Sequence, residues 1–127
     1  MTDPQDRAAA IRARLAEISG GEPTGPEREL LARLLRSWLT KTPAAVDRLA
    51  GLLEQEDIPA IRDQAHALKG SATNLGITAL AGLFAAIEQE ARTGRRPDPH
   101  STLAAVRQEY ATVEPICAGI AADLSTG

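Results

Sequence analysis

Apolar residues recur along most of this chain at steps of three and four, which is the spacing of one face of an α-helix. Five such series are separated by residues that favour turns, so the pattern predicts five amphipathic helices. Grouped by helix, the positions are Ala8, Ile11, Leu15 and Ile18; Leu30, Leu31, Leu34, Leu35, Trp38, Val46, Leu49, Leu52 and Leu53; Ile61, Ala65, Leu68, Ala72 and Leu75; Ile77, Leu80, Phe84, Ile87 and Ala91; and Leu103, Val106, Tyr110, Val113, Cys117, Ile120 and Leu124.

Turn and capping residues mark the predicted helix ends. The first helix spans about Pro4 to Ser19 and is followed by a Gly- and Pro-rich segment at 20–26 that cannot extend it. Asp57 and Asp98 are placed to cap the third and fifth helices, because a carboxylate accepts hydrogen bonds from free amides of a first turn. Glycines, at 76 and 94, are placed to end the third and fourth helices.

Two prolines fall inside the predicted helices. Pro43 removes one backbone hydrogen bond, which leaves two alternatives for the second helix: a kink near Leu39, or a break after which Thr42 caps a new helix. Pro115 should bend the last helix locally without changing the face that it buries.

The short predicted connections favour an all-α fold in which four helices form an antiparallel up-and-down bundle. This bundle starts at about Glu27, and the N-terminal helix is an additional element laid across it. We therefore expect one domain overall, with the N-terminal helix and linker at 1–25 and the four-helix bundle at 26–127.

Composition narrows the class of protein. The net charge is -3, which argues against nucleic-acid binding because that needs a basic face. A lone cysteine, Cys117, cannot form an internal disulfide, and this fits a reducing compartment. The N-terminus lacks the features of a signal peptide, and the longest apolar run, 77–87, is too short to cross a bilayer. We expect a soluble, cytoplasmic protein without a membrane association.

One of the two histidines, His66, lies in the third predicted helix but off its apolar face. At about 100° per residue, the centre of the apolar face is about 130° from His66, which should therefore be exposed. Five residues fall within about 60° of it and form one polar face. They are Arg62, Asp63, Lys69, Gly70 and Thr73.

This face suits a phosphoryl carrier. A neutral imidazole is a competent nucleophile, and a cation one turn away, Lys69, could neutralise a phosphoryl group on the ring. The absent side chain at Gly70 would let another protein approach closely. The simpler interpretation is that His66 and Lys69 are ordinary surface residues and that Gly70 is a packing contact.

The segment 65–76, AHALKGSATNLG, resembles the signature A-H-x-L-K-G-S-x-x-x-L-G of histidine-containing phosphotransfer (HPt) domains, the relay modules of multistep two-component signalling. The matching helical context extends over roughly residues 27 to 124. The resemblance implies a four-helix bundle in which a ring nitrogen of His66 accepts a phosphoryl group from the aspartate of a response-regulator receiver domain and passes it to another receiver. It also implies that Lys69 is the helper cation and Gly70 the access point.

The resemblance includes one departure. Members of this family often have a glutamine on the next helix that reaches the histidine, whereas spacing places Glu88 there, with Gln89 beside it. The chain also lacks an ATP-binding motif, a phosphate-cradling glycine loop and carboxylates clustered around His66. We therefore expect a monomeric carrier rather than an enzyme, with no cofactor of its own and with Mg²⁺ supplied by the partner receiver domain.

Other candidate sites are weak. His100 is expected at the surface, and two histidines with one cysteine cannot form a structural zinc site of the usual spacing. Ser71 lies about 140° from His66, so its hydroxyl should bond a backbone carbonyl one turn back rather than the imidazole. The arginines at 92, 95 and 96 are expected to form a solvated helix end, with steering of an acidic receiver surface as the alternative.

Two other functions fit the same residues. One is a helical interaction module that binds receiver or kinase domains, including a hybrid histidine kinase, without being phosphorylated. The other is the phosphotransfer domain of a chemotaxis-type histidine kinase, phosphorylated directly by an ATP-binding domain.

Overall fold

The computed structural model describes residues 3–126, and these fold into five α-helices with no strand. The prediction of an all-α fold is confirmed. The helices are α1 (Pro4–Ser19), α2 (Gly25–Gln55), α3 (Ile58–Asn74), α4 (Thr78–Arg92) and α5 (Pro99–Thr126).

Helices α2 to α5 form a closed ring of neighbours, since α2 packs against α3, α3 against α4, α4 against α5, and α5 against α2. Short connections between consecutive helices give this arrangement its up-and-down order. Helix α1 packs on α5 and also contacts α4. An ion pair between Arg7 and Glu109, with an Nε–Oε2 distance of 2.7 Å, joins α1 to α5.

The predicted apolar series supply the core. Phe84, Leu35 and Ile61 are completely buried, as is Cys117, whose thiol pKa is raised to about 12 by desolvation. Two members of the series are not core residues, because Ile18 is 37% exposed and Leu30 is 50% exposed. A period of three and four shows that residues share one face of a helix but not which of them a neighbouring helix covers.

Helix α2 is continuous through Pro43, which excludes one of the two alternatives, the break capped by Thr42. The Thr42 hydroxyl instead donates to the carbonyl of Trp38 at 2.6 Å. Pro43 has no amide proton for the carbonyl of Leu39, four residues back. The Tyr110 hydroxyl of α5 donates to this carbonyl at 3.0 Å, and this bond compensates for the missing one.

The predicted caps are confirmed. Asp57 accepts a hydrogen bond from the Ala60 amide at 3.2 Å at the start of α3, and Asp98 accepts one from the Ser101 amide at 2.9 Å at the start of α5. The Asp57 cap defines where α3, the helix that carries the histidine, begins.

The turn between α3 and α4 depends on Gly76, which has φ = 75°. Its amide donates to Thr73 O and the Ile77 amide donates to Ala72 O, the two bonds of a Schellman motif, so the predicted left-handed end of α3 is confirmed. A Cβ atom at position 76 would lie only 2.7 Å from the carbonyl oxygen of Ala10 in α1. Gly76 therefore serves both the turn and the close approach of α1.

We expect Gly76→Ala to destabilise the protein by about 2–4 kcal/mol, because it adds left-handed strain to a steric clash with α1. Gly94→Ala is the matched control, since Gly94 has φ = 81° but open space around its Cβ position. It should cost only about 1 kcal/mol. Urea denaturation measures the free energy of unfolding of both variants. An equal decrease in the two would show that the contact with α1 does not constrain the turn.

Candidate phosphoryl-acceptor site

His66 lies on the outward face of α3, and its side chain is 63% exposed. The neighbouring residues Ala65 and Leu68 are buried in the core, as the helical spacing predicted. The imidazole is therefore held on a rigid helix while one edge of its ring stays accessible from outside.

A buried carboxylate on α4, that of Glu88, contacts the imidazole. Its Oε2 atom lies 2.9 Å from Nδ1 of His66, and its Oε1 atom lies 2.6 Å from Nζ of Lys69. Arg92, one turn further along α4, donates to Oε2 through both Nε and Nη2, at 3.2 and 2.8 Å. The Glu88 side chain is only 3% exposed, yet it has three cationic or N–H partners.

These partners keep Glu88 ionised. The hydrogen bond from Lys69 is the largest cause, followed by the bonds from Arg92, and together they lower the pKa of Glu88 from 4.5 to about 2 against the opposing effect of burial. At neutral pH the carboxylate is thus a pure hydrogen-bond acceptor.

An ionised Glu88 determines which tautomer of His66 is favoured. Nδ1 must carry a proton in order to donate to the carboxylate, so in the neutral ring Nε2 holds the free lone pair. The side chain therefore presents its nucleophilic nitrogen on the edge away from Glu88.

An open depression of about 270 Å³ lies beside His66, between α3 and α4. It brings together four of the residues predicted for the site, together with one that was not predicted. They are Arg62, Asp63, His66, Glu88 and Arg92. Arg62 and Asp63 form an exposed ion pair at 3.3 Å on the rim.

The remaining predicted residues lie outside the depression. Lys69 contacts Glu88 but does not line the depression. Gly70 and Thr73 are exposed further along the same face of α3, and nothing lies within 4 Å of the position that a Cβ of Gly70 would take. This part of α3 is therefore open to an approaching molecule.

Arg92 is exposed at the end of α4, as predicted, but it also binds Glu88, which was not predicted. The spacing of four residues between Glu88 and Arg92 was the sequence signal for this pair. Arg96 also has partners, since it donates to the Leu53 carbonyl and pairs with Glu56, at 3.2 Å in both cases. Arg95 is exposed.

Two further predictions concern Ser71 and His100. The Ser71 hydroxyl donates to the carbonyl of Leu68 at 3.0 Å, as predicted, and His100 is exposed in the first turn of α5, as predicted.

Within residues 3–126 we find no group of three or more side chains suited to hold a metal ion. None of the helices over this range is long and apolar enough to cross a membrane.

One comparison with known proteins identifies a family. Residues 33–115 match the family model of the Hpt domain. Searches among curated proteins and among solved structures gave no match. The matched region covers well over half of the chain and includes the whole of α3 and α4, so the protein belongs to the Hpt domain family, which carries out phosphotransfer in two-component signalling.

Proposed function

We propose that the protein is a phosphoryl carrier that accepts a phosphoryl group on Nε2 of His66 from a receiver-domain aspartate and passes it to a second receiver. The observation that supports this is the bond between Nδ1 of His66 and the buried carboxylate of Glu88, with the opposite edge of the ring exposed. The bond orients the ring and directs its lone pair outward.

The transfer requires little chemistry from this chain. The lone pair of Nε2 attacks the phosphorus atom of the acyl phosphate, the P–O bond to the aspartate breaks, and its electron pair remains on the carboxylate. The new N–P bond leaves positive charge on the ring, whose Nδ1 proton stays hydrogen-bonded to Glu88. The reverse sequence delivers the phosphoryl group to the next receiver.

The partner surface would surround His66 on α3. Gly70 leaves open space next to the ring, and Arg62, Asp63 and Thr73 provide polar contacts around it. The partner receiver would bring the Mg²⁺ that such transfer uses. We further propose that the protein acts as a cytoplasmic monomer, as a carrier and not as an enzyme, and with no metal or cofactor of its own.

The direct test is to incubate the protein with receiver domains from the same organism that carry labelled aspartyl phosphate. We expect label to move to this chain within minutes and to be acid-labile and alkali-stable, as a phosphoramidate is. Partner binding without any transferred label would support a non-phosphorylated interaction module. Label received only from an ATP-binding kinase domain, and never from a receiver, would support a chemotaxis-type phosphotransfer domain.

A further inference from the structure

The side chain that contacts His66 from α4 is charged in this chain, whereas members of the family often have a neutral glutamine there. Glu88 is only 3% exposed, and its Oε2 atom lies 2.9 Å from Nδ1 of the imidazole. Lys69 and Arg92 bind the same carboxylate and keep it ionised. Because an amide oxygen could accept the same hydrogen bond from Nδ1, the two residue types differ here by one negative charge.

This charge has its largest effect once the ring carries a phosphoryl group. Before transfer, the neutral ring donates its Nδ1 proton to Glu88. When the lone pair of Nε2 forms the N–P bond and the P–O bond to the receiver aspartate breaks, the ring keeps that proton and becomes positively charged. The hydrogen bond then joins a cation to an anion, and an opposite charge at this distance stabilises the charged form of a group.

Other charges nearby do not reverse this effect. The phosphoryl group would lie on Nε2, at the opposite edge of a side chain that is largely exposed, so water and salt screen its repulsion of Glu88. The contact between Nδ1 and the buried carboxylate is direct, and screening weakens it less. Lys69 and Arg92 repel a positive ring, but they are present whether position 88 is glutamate or glutamine.

Building on the proposed function, we propose that Glu88 is a positioning residue that also determines the transfer equilibrium: it stabilises the phosphorylated form of His66 relative to the free histidine. A glutamine at position 88 would orient the ring but would leave more of the phosphoryl group on the receiver at equilibrium. With Glu88 the chain retains the phosphoryl group and acts as a store between its donor and its acceptor.

A thermodynamic cycle that needs no receiver tests this proposal. Every chain carries His100→Gln, so that phosphoramidate can phosphorylate only one histidine, His66. Urea denaturation gives the folding equilibrium constant of each chain before and after phosphorylation. We expect the ratio of the phosphorylated to the unphosphorylated constant to be about tenfold larger with Glu88 than in Glu88→Gln, since one opposite charge at this distance contributes at least about that factor. The unfolded states cancel in this comparison, as does any loss of stability that Glu88→Gln causes by itself.

Glu90→Gln is the matched control, because it also removes one negative charge from α4, at an exposed position. It should leave the ratio within about twofold of its value in the His100→Gln background. Equal ratios with Glu88 and with Glu88→Gln would overturn the proposal.

A second measurement needs no variant of Glu88 and therefore does not depend on how such a variant folds. In ¹⁵N NMR spectra of the phosphorylated chain at neutral pH, Nδ1 of His66 should carry a proton. A phosphorylated ring without that proton would also overturn the proposal. The proposed function would fail differently, through the absence of label transferred from any receiver.

Discussion

Replacing His66 with glutamine is expected to abolish transfer of label from a phosphorylated receiver while leaving the fold intact. Glutamine has no nucleophilic nitrogen, so the N–P bond cannot form. The His66 side chain is 63% exposed, and Glu88 retains its bonds to Lys69 and Arg92 without it. The free energy of unfolding should therefore change by less than about 1 kcal/mol.

His100→Gln is the matched control, because His100 is also exposed and is the only other histidine in the chain. It should accept label at the unaltered rate. Label that persists in His66→Gln would refute His66 as the acceptor. Loss of label together with a large loss of stability would instead show that the histidine supports the fold.

The bundle could be predicted from sequence because each helix buries a single face, which periodicity reveals. Helix ends at Asp57, Gly76 and Asp98 were predictable for the same local reason, since caps depend on residues only two to four positions apart. The sequence alone did not decide between a kink and a break of α2 at Pro43. The carbonyl of Leu39 that Pro43 leaves without an amide partner accepts from the hydroxyl of Tyr110, which is distant in sequence and comes close only when α5 packs against α2.

The candidate site also has features that local sequence predicts and features that depend on the packing of helices. Helical geometry was enough to place His66, Arg62 and Asp63 on one face of α3, and the structure brings all three to one depression. The burial of Glu88 and the participation of Arg92 depend on how α4 is rotated against α3. That rotation is determined by core packing between the two helices, which a single-helix projection does not contain. The roles of these residues in transfer stay predictions.

Removing the carboxylate of Glu88 is the second change from which we expect a large effect. In Glu88→Ala the imidazole loses the acceptor that orients it, and Lys69 and Arg92 lose their shared anion. In metal sites, a carboxylate that orients a ligating histidine in this way is worth about 10- to 100-fold, and we expect phosphorylation of His66 to slow by a similar factor. Glu88→Gln keeps one acceptor oxygen, so it should slow phosphorylation less than Glu88→Ala does. Glu90→Gln, on the exposed side of α4, should have no effect on the rate.

The same carboxylate makes a pH-dependent contribution to stability with a defined sign. The pKa of Glu88 is about 2 in the folded chain, whereas the ordinary value of 4.5 applies to the unfolded chain. The folded state therefore favours the ionised form. That contribution is fully present above about pH 4.5 and is lost as the pH falls toward 2. Urea denaturation of the unaltered protein and of Glu88→Gln at a series of pH values should show a stability difference that shrinks over this interval. A difference that stays constant from pH 6 to about pH 2.5 would mean that Lys69 and Arg92 do not hold Glu88 in its ionised form.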